Sequence, residues 1–398
     1  MNSVRLTIGF LPLVDAALPI LAREHGFAEE QGLDLSFVKD MSWATVLDRL
    51  LYGHSDLAHM IAPLAITTTL GMGRPAKAMA VPFVLGLNGN AITMSPELAD
   101  RLTPMGQLGD PRDVGARLAA EIVRRRGQGK RITLGVVHRY SSHNYKLRYW
   151  LAACGIRPDE DVDIVTISPP FAADALANHE IDGICVGEPW NSVAVERGVG
   201  RIVLVTAQIW KRGVEKVLAL PASRLEERRE QVEALVRALH FTGRHFVDPA
   251  NWDANAAILA RPQYLDGSAE LIRRAISDRI MLAGGTDPVH IPDFMFQYRE
   301  AANFPWVSQA AWLYAQMVRW DGLKFEAEAY RRAQSVFRPD VYRAALAGLD
   351  APMPSANSKV EGGITGPLAV GTTQGQLTLG ADPFFDGRIF DPDQMPIK

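Results

Sequence analysis

Hydrophobic and polar positions follow two different periods along the first half of the chain, and the two periods alternate. Residues 4–10 are apolar at every second position, which is typical of a half-buried strand. Segment 15–31 has apolar residues at helical spacing and stops at Gly32, which predicts an amphipathic helix. Strands and helices of such lengths continue to alternate, and this predicts βαβ units with parallel sheets.

The alternation is interrupted once and then restarts. A polar, Gly-rich segment at 103–131 separates a first α/β unit from a second one, which begins with strand 132–137. From Leu225 onward the pattern is nearly all helical, and the chain ends in a segment rich in Gly, Pro and Asp. We therefore predict two lobes with a cleft between them, divided as follows: 1–92, first part of lobe 1; 93–221, lobe 2; 222–348, helical completion of lobe 1; 349–398, an extended tail that wraps the lobes.

Composition narrows the class of protein. The chain has 398 residues, of which 47% are hydrophobic and 22% charged, with a net charge of −3. These values are ordinary for a soluble globular protein of two to three domains, and they disfavour wholesale binding of nucleic acid. No stretch reaches the roughly 18 apolar residues of a membrane span. Cys154 and Cys185 have no metal-ligand spacing. We expect the protein to bind neither a metal ion nor a cofactor, not to associate with a membrane, and not to contact nucleic acid directly.

The first residues carry no pattern of an export signal. Met1 leads within a few residues into strand 4–10, and Arg5 is the one early positive charge. A signal peptide would need a longer apolar run and a small-residue cleavage site. On this basis we expect a cytoplasmic protein.

A candidate anion site follows strand 132–137. Ser141 and Ser142 suit the N-cap of the next helix, whose free backbone N–H groups would lie at the carboxyl edge of the sheet. His143, in the first turn, adds a side-chain donor. This arrangement predicts a binding site for a small anion. A capping or surface role for His143 is the alternative.

The sequence motifs give little support for an enzymatic function. The sequence has no Gly-rich phosphate loop, no paired His and Glu of a zinc site and no G-x-S-x-G elbow. His54 and His59 could be imagined as acid–base groups, but His59 lies in an apolar strand pattern and is better explained as a core residue. We therefore expect a binding protein and not an enzyme.

Several short motifs, in order along almost the whole chain, resemble the nitrate/bicarbonate-binding proteins of ABC transporters. The resemblance implies an α/β type II periplasmic-binding-protein fold, with two lobes, an interlobe ligand cleft and a helical C-terminal extension. The motifs are GFLPL at 9–13 with Asp15, SWA at 42–44, NGNAIT at 88–93, LRYWLAA at 147–153, CVGEPWN at 185–191, NFPW at 303–306 and FFDG at 384–387.

The resemblance also implies ligand-binding residues. Lys216 would supply the positive charge, while Trp43 and His143 would donate hydrogen bonds to an anion such as nitrate, which only accepts them. Gly86 and Asn90 flank the turn between the lobes, but the family has a longer Gln where this chain has Asn90, so a water could bridge instead. From the sequence alone, Lys216 is better explained as a surface lysine at a strand entrance, and Trp43 could equally be a core aromatic.

A second group of residues is expected to surround these. Ser141 and Ser142 would add hydroxyl donors near His143. Glu188 and Trp190 follow a buried strand, and we interpret Glu188 as structural or as related to closure. An acceptor at Glu188 would also suit bicarbonate, or a metal in the bicarbonate receptors.

Within this family the chain is most similar to NasS-type cytoplasmic nitrate/nitrite sensors. The resemblance implies that the ligand-free sensor holds an ANTAR-type, NasT-like RNA-binding antiterminator, and that nitrate or nitrite releases it to regulate nitrate assimilation genes. The alternative is a periplasmic nitrate or bicarbonate receptor of an ABC transporter whose signal was removed. Thiamine-pyrimidine synthases share the fold and are enzymes, but they resemble this chain at the fold level only.

Overall fold

Two twisted sheets organise the chain, and the computed structural model describes residues 3–395 of it. Residues 1–2 of the predicted first segment and 396–398 of the predicted tail lie outside the described part. The first lobe begins with eight elements in sequence order: β1 (Val4–Phe10), α1 (Ala17–Glu24), α2 (Phe27–Glu30), β2 (Leu33–Lys39), α3 (Trp43–Leu51), β3 (Leu57–Ile61), α4 (Ala62–Leu70) and β4 (Met79–Asn88).

The second lobe follows after a single residue, Gly89. Its elements are β5 (Asn90–Met94), α5 (Pro96–Leu102), α6 (Pro111–Arg126), β6 (Ile132–Val136), α7 (Ser142–Ala153), β7 (Val162–Thr166), α8 (Ala172–Ala177), β8 (Gly183–Gly187), α9 (Trp190–Glu196), β9 (Arg201–Val205) and α10 (Thr206–Ile209). The strands form one sheet in the order β7-β6-β8-β5-β9.

The chain then returns to the first lobe. Its elements there are β10 (Val214–Pro221), α11 (Ala222–Glu227), α12 (Arg229–Phe246), α13 (Trp252–Leu259), α14 (Ala269–Ile276), β11 (Arg279–Ile280), β12 (Val289–His290), β13 (Met295–Phe296), α15 (Val307–Trp320), α16 (Ala327–Gln334) and α17 (Pro339–Leu346). The six-stranded sheet of this lobe has the order β13-β4-β10-β3-β1-β2.

Two predicted boundaries between the lobes are corrected by this topology. The predicted boundary after residue 221 places strand β10 in the second lobe, but β10 pairs with β3 and β4 of the first. Strand β5 was divided at residue 92, but the whole strand pairs with β8 and β9 of the second lobe. Both crossing strands run antiparallel to their neighbours, so the sheets are mixed and not purely parallel as predicted.

The predicted helix 15–31 is also corrected. A short 3-10 turn at Val14–Ala16 precedes α1, and the chain breaks between α1 and α2 at Gly26, whose φ is 80°. A left-handed residue cannot continue a right-handed helix, and glycine adopts that conformation without steric cost. The apolar spacing therefore predicted the buried face correctly but not the break.

The tail contains four short strands: β14 (Met353–Pro354), β15 (Leu368–Val370), β16 (Thr372–Gln374) and β17 (Leu377–Leu379). It contacts both parts of the molecule. Ser308 Oγ in α15 donates to Glu361 Oε1 over 2.6 Å, and Phe385 N donates to Ile209 O over 3.0 Å. Within residues 3–395, no helix combines the length and the apolar character needed to cross a membrane.

Candidate functional site: a buried ionic cluster between the lobes

Helix α7 brings three polar side chains to the cleft. Its N-cap is Ser141, whose Oγ accepts from Asn144 N over 3.1 Å and donates to His138 O over 2.7 Å. The hydroxyl of Ser141 is therefore used by its own helix. Ser142 and His143, together with Lys146 one helical turn further on, point instead toward strand β10 of the other lobe.

An irregularity in β10 makes this meeting possible. Along β10, Val214 pairs with Leu87 and Lys216 pairs with Gly86, so Glu215 is an extra residue relative to β4. A β-bulge of this kind breaks the alternation of side chains between the two faces of a sheet. As a result, Glu215 and Lys216 both contribute to the same buried cluster, with their charged groups 3.2 Å apart.

Glu215 connects the lobes. Its Oε1 accepts from Ser142 Oγ over 2.6 Å and lies 3.2 Å from His143 Nδ1, and its Oε2 lies 3.1 Å from Lys146 Nζ. Lys216 Nζ lies 2.8 Å from Asp15 Oδ2 within the first lobe. These side chains are all at most a few per cent exposed. The formal charges of the two lysines and the two carboxylates cancel.

Burial and charge pairing set the ionisation of the cluster. Burial opposes the charge of Asp15, but Lys216 and His59 outweigh it, so the pKa of Asp15 lies below its usual range. Burial opposes the charge of Glu215 as well, and the surrounding cationic side chains again hold its pKa low. The pKa of Lys216 is raised, because its two carboxylate neighbours outweigh burial. The ion pairs of Lys216 therefore persist across the neutral range, whereas burial lowers the pKa of Lys146 in spite of Glu215.

The histidines of the cluster are neutral near pH 7. Burial lowers the pKa of His143 to about 3 despite the nearby Glu215. Burial likewise lowers the pKa of His59, although its Nε2 hydrogen-bonds to Asp15 Oδ1 over 2.7 Å. Since His143 carries no charge at that pH, the ammonium groups of Lys146 and Lys216 keep Glu215 ionised.

The indole ring of Trp43 lies beside the ammonium group of Lys216. Trp43 is the first residue of α3, after the N-cap Ser42, and Lys216 Nζ lies 5.5 Å from its ring centroid. The centroid of the His59 ring lies 5.3 Å from that of Trp43. The indole N–H of Trp43 has no hydrogen-bond partner within residues 3–395, and Trp43 is 1% exposed. A donor of this kind is available to a ligand.

Asn90 and Gly86 belong to the strands on either side of the first crossing between the lobes. Asn90 is fully buried, and neither atom of its side-chain amide has a partner in the described part of the chain. A Cβ placed on Gly187, which pairs with Asn90, would lie 3.1 Å from Asn90 Oδ1 and 3.5 Å from Asp15 Oδ2. The amide of Asn90 thus lies close to the ionic cluster.

Glu188 and Trp190 join the lobes at a second place. Trp190 Nε1 donates to Pro12 O over 3.1 Å, and Val14 N donates to Glu188 O over 2.8 Å. The carboxylate of Glu188 instead accepts from Ser192 N, in helix α9 directly after it, over 3.3 Å. Burial raises the pKa of Glu188 to about 7. These contacts lie between the start of α9 and the loop after β1.

The structure brings together all five residues predicted to bind a ligand, and it adds others that the sequence reasoning did not select. His59 is a core residue, as predicted, with 0% exposure, and it also contacts Asp15 and Trp43. Lys146 could have been found from its helical spacing to Ser142 and His143. The role of Glu215 depends on the bulge, which the apolar pattern did not reveal. The binding role of each residue stays a prediction.

The side chains of this cluster suit some classes of ligand better than others. They offer donors from indole, imidazole, amide and ammonium groups around a cluster whose formal charges cancel. A compact, weakly hydrated monoanion can use these donors, whereas a dianion would meet two fixed carboxylates at close range. No group of three or more His, Cys, Asp or Glu side chains that could hold a metal ion occurs within residues 3–395.

Two mixed α/β lobes with a polar cluster between them define the class of protein, namely the type II periplasmic-binding-protein fold, as predicted. The chain matches the crystal structure of the periplasmic nitrate-binding protein NrtA from Synechocystis PCC 6803 with a TM-score of 0.84 and 25% identity, over 98% of this chain and 96% of that one. A zinc-bound ligand-binding component of an ABC-type import system from Staphylococcus aureus, 18% identical, gives a TM-score of 0.63 over 86% of this chain and 99% of that one.

The chain belongs to the NMT1-like family, which matches residues 1–260. The nitrate/nitrite binding protein NrtA of Synechococcus elongatus is 30% identical over 98% of this chain and 84% of its own length. The nitrate import ATP-binding protein NrtC of Synechocystis is 32% identical over 86% of this chain, which spans only 50% of that relative. The predicted resemblance to nitrate/bicarbonate-binding proteins is confirmed at this level.

Proposed function

We propose that this chain binds nitrate or nitrite between its lobes. The observation that carries the proposal is a set of buried donors without hydrogen-bond partners in residues 3–395, namely Trp43 Nε1 and Asn90 Nδ2, together with the ring of His143, close to the ammonium of Lys216. Nitrate is flat and monovalent and only accepts hydrogen bonds, so it matches this set. The names of the NrtA relatives support the same ligand class.

The ligand would bridge the two lobes. Trp43 and Lys216 belong to the first lobe and His143 to the second, so one anion that contacts all three favours the closed arrangement over the open one. The contacts of Glu215 with Ser142 and Lys146 already join the same elements. Closure therefore strengthens the site and excludes water from it.

Thermal unfolding against a panel of anions tests the ligand class. We expect the unfolding midpoint to rise with nitrate or nitrite, because a ligand that prefers the folded state stabilises it. Sulfate, chloride, and bicarbonate with and without calcium complete the panel. A rise with bicarbonate and calcium alone would point to a carbon-uptake receptor, and no response to any anion would overturn the proposal.

A matched pair of variants localises the effect. Trp43→Phe removes one N–H at the site, while Trp252→Phe removes an indole N–H on α13 that likewise has no partner among the described residues. We expect the first variant to weaken the anion response and the second to keep it. Equal responses in both variants would place the ligand elsewhere.

The finer part of the proposal is a sensor role in the cytoplasm. What supports it is the resemblance of the motifs to NasS-type sensors, in which an ANTAR-type, NasT-like RNA-binding antiterminator is the partner. In this scheme the partner binds the open form and the anion favours the closed form, so the two oppose each other by linkage. Nitrate or nitrite then releases the antiterminator.

A mixing experiment tests the sensor role separately from anion binding. The purified chain and a NasT-like antiterminator from the same organism are combined and followed by light scattering after gel filtration. We expect a complex without anion and separate proteins with nitrate. If no complex forms in either condition although the chain binds nitrate, the sensor role is wrong and the ligand proposal stands.

A transporter receptor is the second candidate, because NrtA from Synechocystis PCC 6803, which has a similar structure, is a periplasmic nitrate-binding protein. Such a receptor would bind the same anion and deliver it to a membrane complex. Fractionation of the native cells distinguishes the two roles. Recovery with the periplasm would favour the receptor, and recovery with the cytosol would favour the sensor.

A further inference from the structure

Gln297 is a buried polar side chain whose environment needs an explanation. It follows strand β13 directly and is 1% exposed. Neither Nε2 nor Oε1 has a hydrogen-bond partner within residues 3–395. A buried amide without partners is costly, and native proteins keep such a group mainly where it has a role.

The strand register places Gln297 beside the proposed anion site. Phe296 pairs with Leu87 in an antiparallel ladder, so Gln297 comes alongside Gly86. On its other side, Gly86 pairs with Lys216. Neighbouring strands lie about 4.8 Å apart. Gln297 and Lys216 therefore flank a residue without a side chain.

The side chain of Gln297 extends over that glycine. A Cβ added to Gly86 would lie 3.1 Å from Gln297 Nε2, and the nearest atoms outside the adjoining residues of β4 all belong to Gln297. The amide nitrogen, which donates, is thus the part of Gln297 nearest to the space above Gly86. A longer side chain at position 86 would compete with the amide for this space.

We infer that Gln297 is a further ligand-binding residue of this site, and that its amide donates a hydrogen bond to the anion beside Lys216. The inference rests on the proposed function. It also compensates for the short side chain of Asn90, because the longer amide of Gln297, directly after β13, would reach the same cluster. An uncharged donor suits a fully ionised acceptor such as nitrate.

The backbone after Gln297 is held in an unusual conformation. Tyr298 and Glu300 have φ values of 62° and 54°, in the left-handed region that side chains other than glycine rarely adopt. Tyr298 N donates to Asn303 Oδ1 over 3.0 Å, and Asn303 Nδ2 donates to Val84 O over 2.7 Å. These bonds fix the turn to β4, and with it the place of Gln297.

Isothermal titration with sodium nitrate and sodium nitrite tests the inference. Gln297→Met keeps the length of the side chain and removes the donor, and Gln297→Glu keeps the shape and adds a repelling charge. We expect Gln297→Met to weaken nitrate binding by about tenfold to a hundredfold, as for a lost bond to a charged partner, and Gln297→Glu by at least as much.

Gln309→Met provides the matched control. Gln309, in helix α15, is also buried. Its Oε1 has no partner among the described residues, and its Nε2 donates to Arg212 O over 3.4 Å. We expect this control to bind nitrate as the wild type does. Thermal unfolding without anion reports whether each variant is folded.

A readout without mutation keeps the inference testable if a variant does not fold. The side-chain NH2 signal of Gln297 in glutamine-labelled wild-type protein should shift in NMR spectra when nitrate is added. Nitrate binding to the wild type with an unshifted signal, or with unchanged affinity in a folded Gln297→Met variant, would overturn the inference alone. Absence of binding to the wild type would overturn the proposed function as well.

Discussion

Lys216 Nζ lies 2.8 Å from Asp15 Oδ2, so the cation expected to hold an anion already has a carboxylate partner in its own lobe. Glu215 provides a second carboxylate at 3.2 Å. An anion that enters the site must therefore share Lys216 with two fixed negative charges. The donors around the cluster, more than its charge, would decide which anions bind.

Neutralising Asp15 should strengthen anion binding. In Asp15→Asn the side-chain oxygen can still accept from His59, but the charge that competes for Lys216 is gone. Even in a screened environment, removing a charge at this range favours an added anion by about tenfold or more. Titration calorimetry with nitrate measures the change. Asp40→Asn, which alters another buried carboxylate paired with Arg49, should leave nitrate affinity unchanged.

Removing Lys216 should abolish the response to anions. Lys216→Ala leaves Asp15 and Glu215 without their shared cation, so we expect a loss of about 3–5 kcal/mol of stability as well. In the mixing experiment, the variant should keep the antiterminator complex and no longer release it with nitrate. Lys359→Ala, which breaks another buried lysine cluster with Glu361 and Asp382, should lose stability and still release the partner. Normal release by Lys216→Ala would mean that the site is misplaced.

The stability of the protein should depend on pH through Glu188. Burial raises its pKa from 4.5 to about 7, so the folded state keeps a proton that the unfolded chain loses in this interval. The contribution is present below pH 4.5 and is lost as the pH rises to about 7, a change of about 3 kcal/mol. Glu188→Gln should flatten this part of the profile, as measured by urea unfolding across the interval. Buried histidines such as His143, whose pKa is lowered to about 3, act in the opposite direction over the same interval, so the test is the difference between wild type and Glu188→Gln. A difference that is the same at pH 4.5 and at pH 7 would contradict the assignment.

Weakening the second junction between the lobes should lower affinity without touching the ligand. Trp190→Phe removes the hydrogen bond to Pro12 O, worth roughly 1 kcal/mol, and so shifts the equilibrium toward the open form. We expect nitrate affinity to fall by about fivefold. Trp320→Phe, which removes a bond to Gln316 Oε1 in helix α15, should have no such effect. Equal losses in both variants would indicate a general effect of tryptophan removal.

Much of the fold follows from local patterns. The alternation in 4–10 and the N-cap at Ser141 lie where the apolar spacing and the capping chemistry predict them. The return of β10 to the first lobe could not be obtained in this way, because every strand of a two-sided sheet is apolar whichever sheet it joins. Sheet membership is a long-range property.

The site was predictable to a different extent. Trp43, Gly86, Asn90, His143 and Lys216 were selected through a resemblance in motifs, and they do lie around one cluster. Gln297 follows a two-residue strand that carries no periodic signal, so only the register with β4 brings it to the same place. Residues that meet through irregular backbone remain hidden from periodicity.

The tail that joins α15 to the second lobe has a mechanical consequence. Glu361 is bonded to Ser308, and beyond it Tyr149 OH donates to Asp386 Oδ1 over 2.9 Å, while Phe384 stacks on Trp210. We therefore expect the tail to restrain the motion of the lobes relative to each other. Cleavage of the chain between residues 361 and 384 should remove that restraint, although this segment lies away from Lys216 and Trp43.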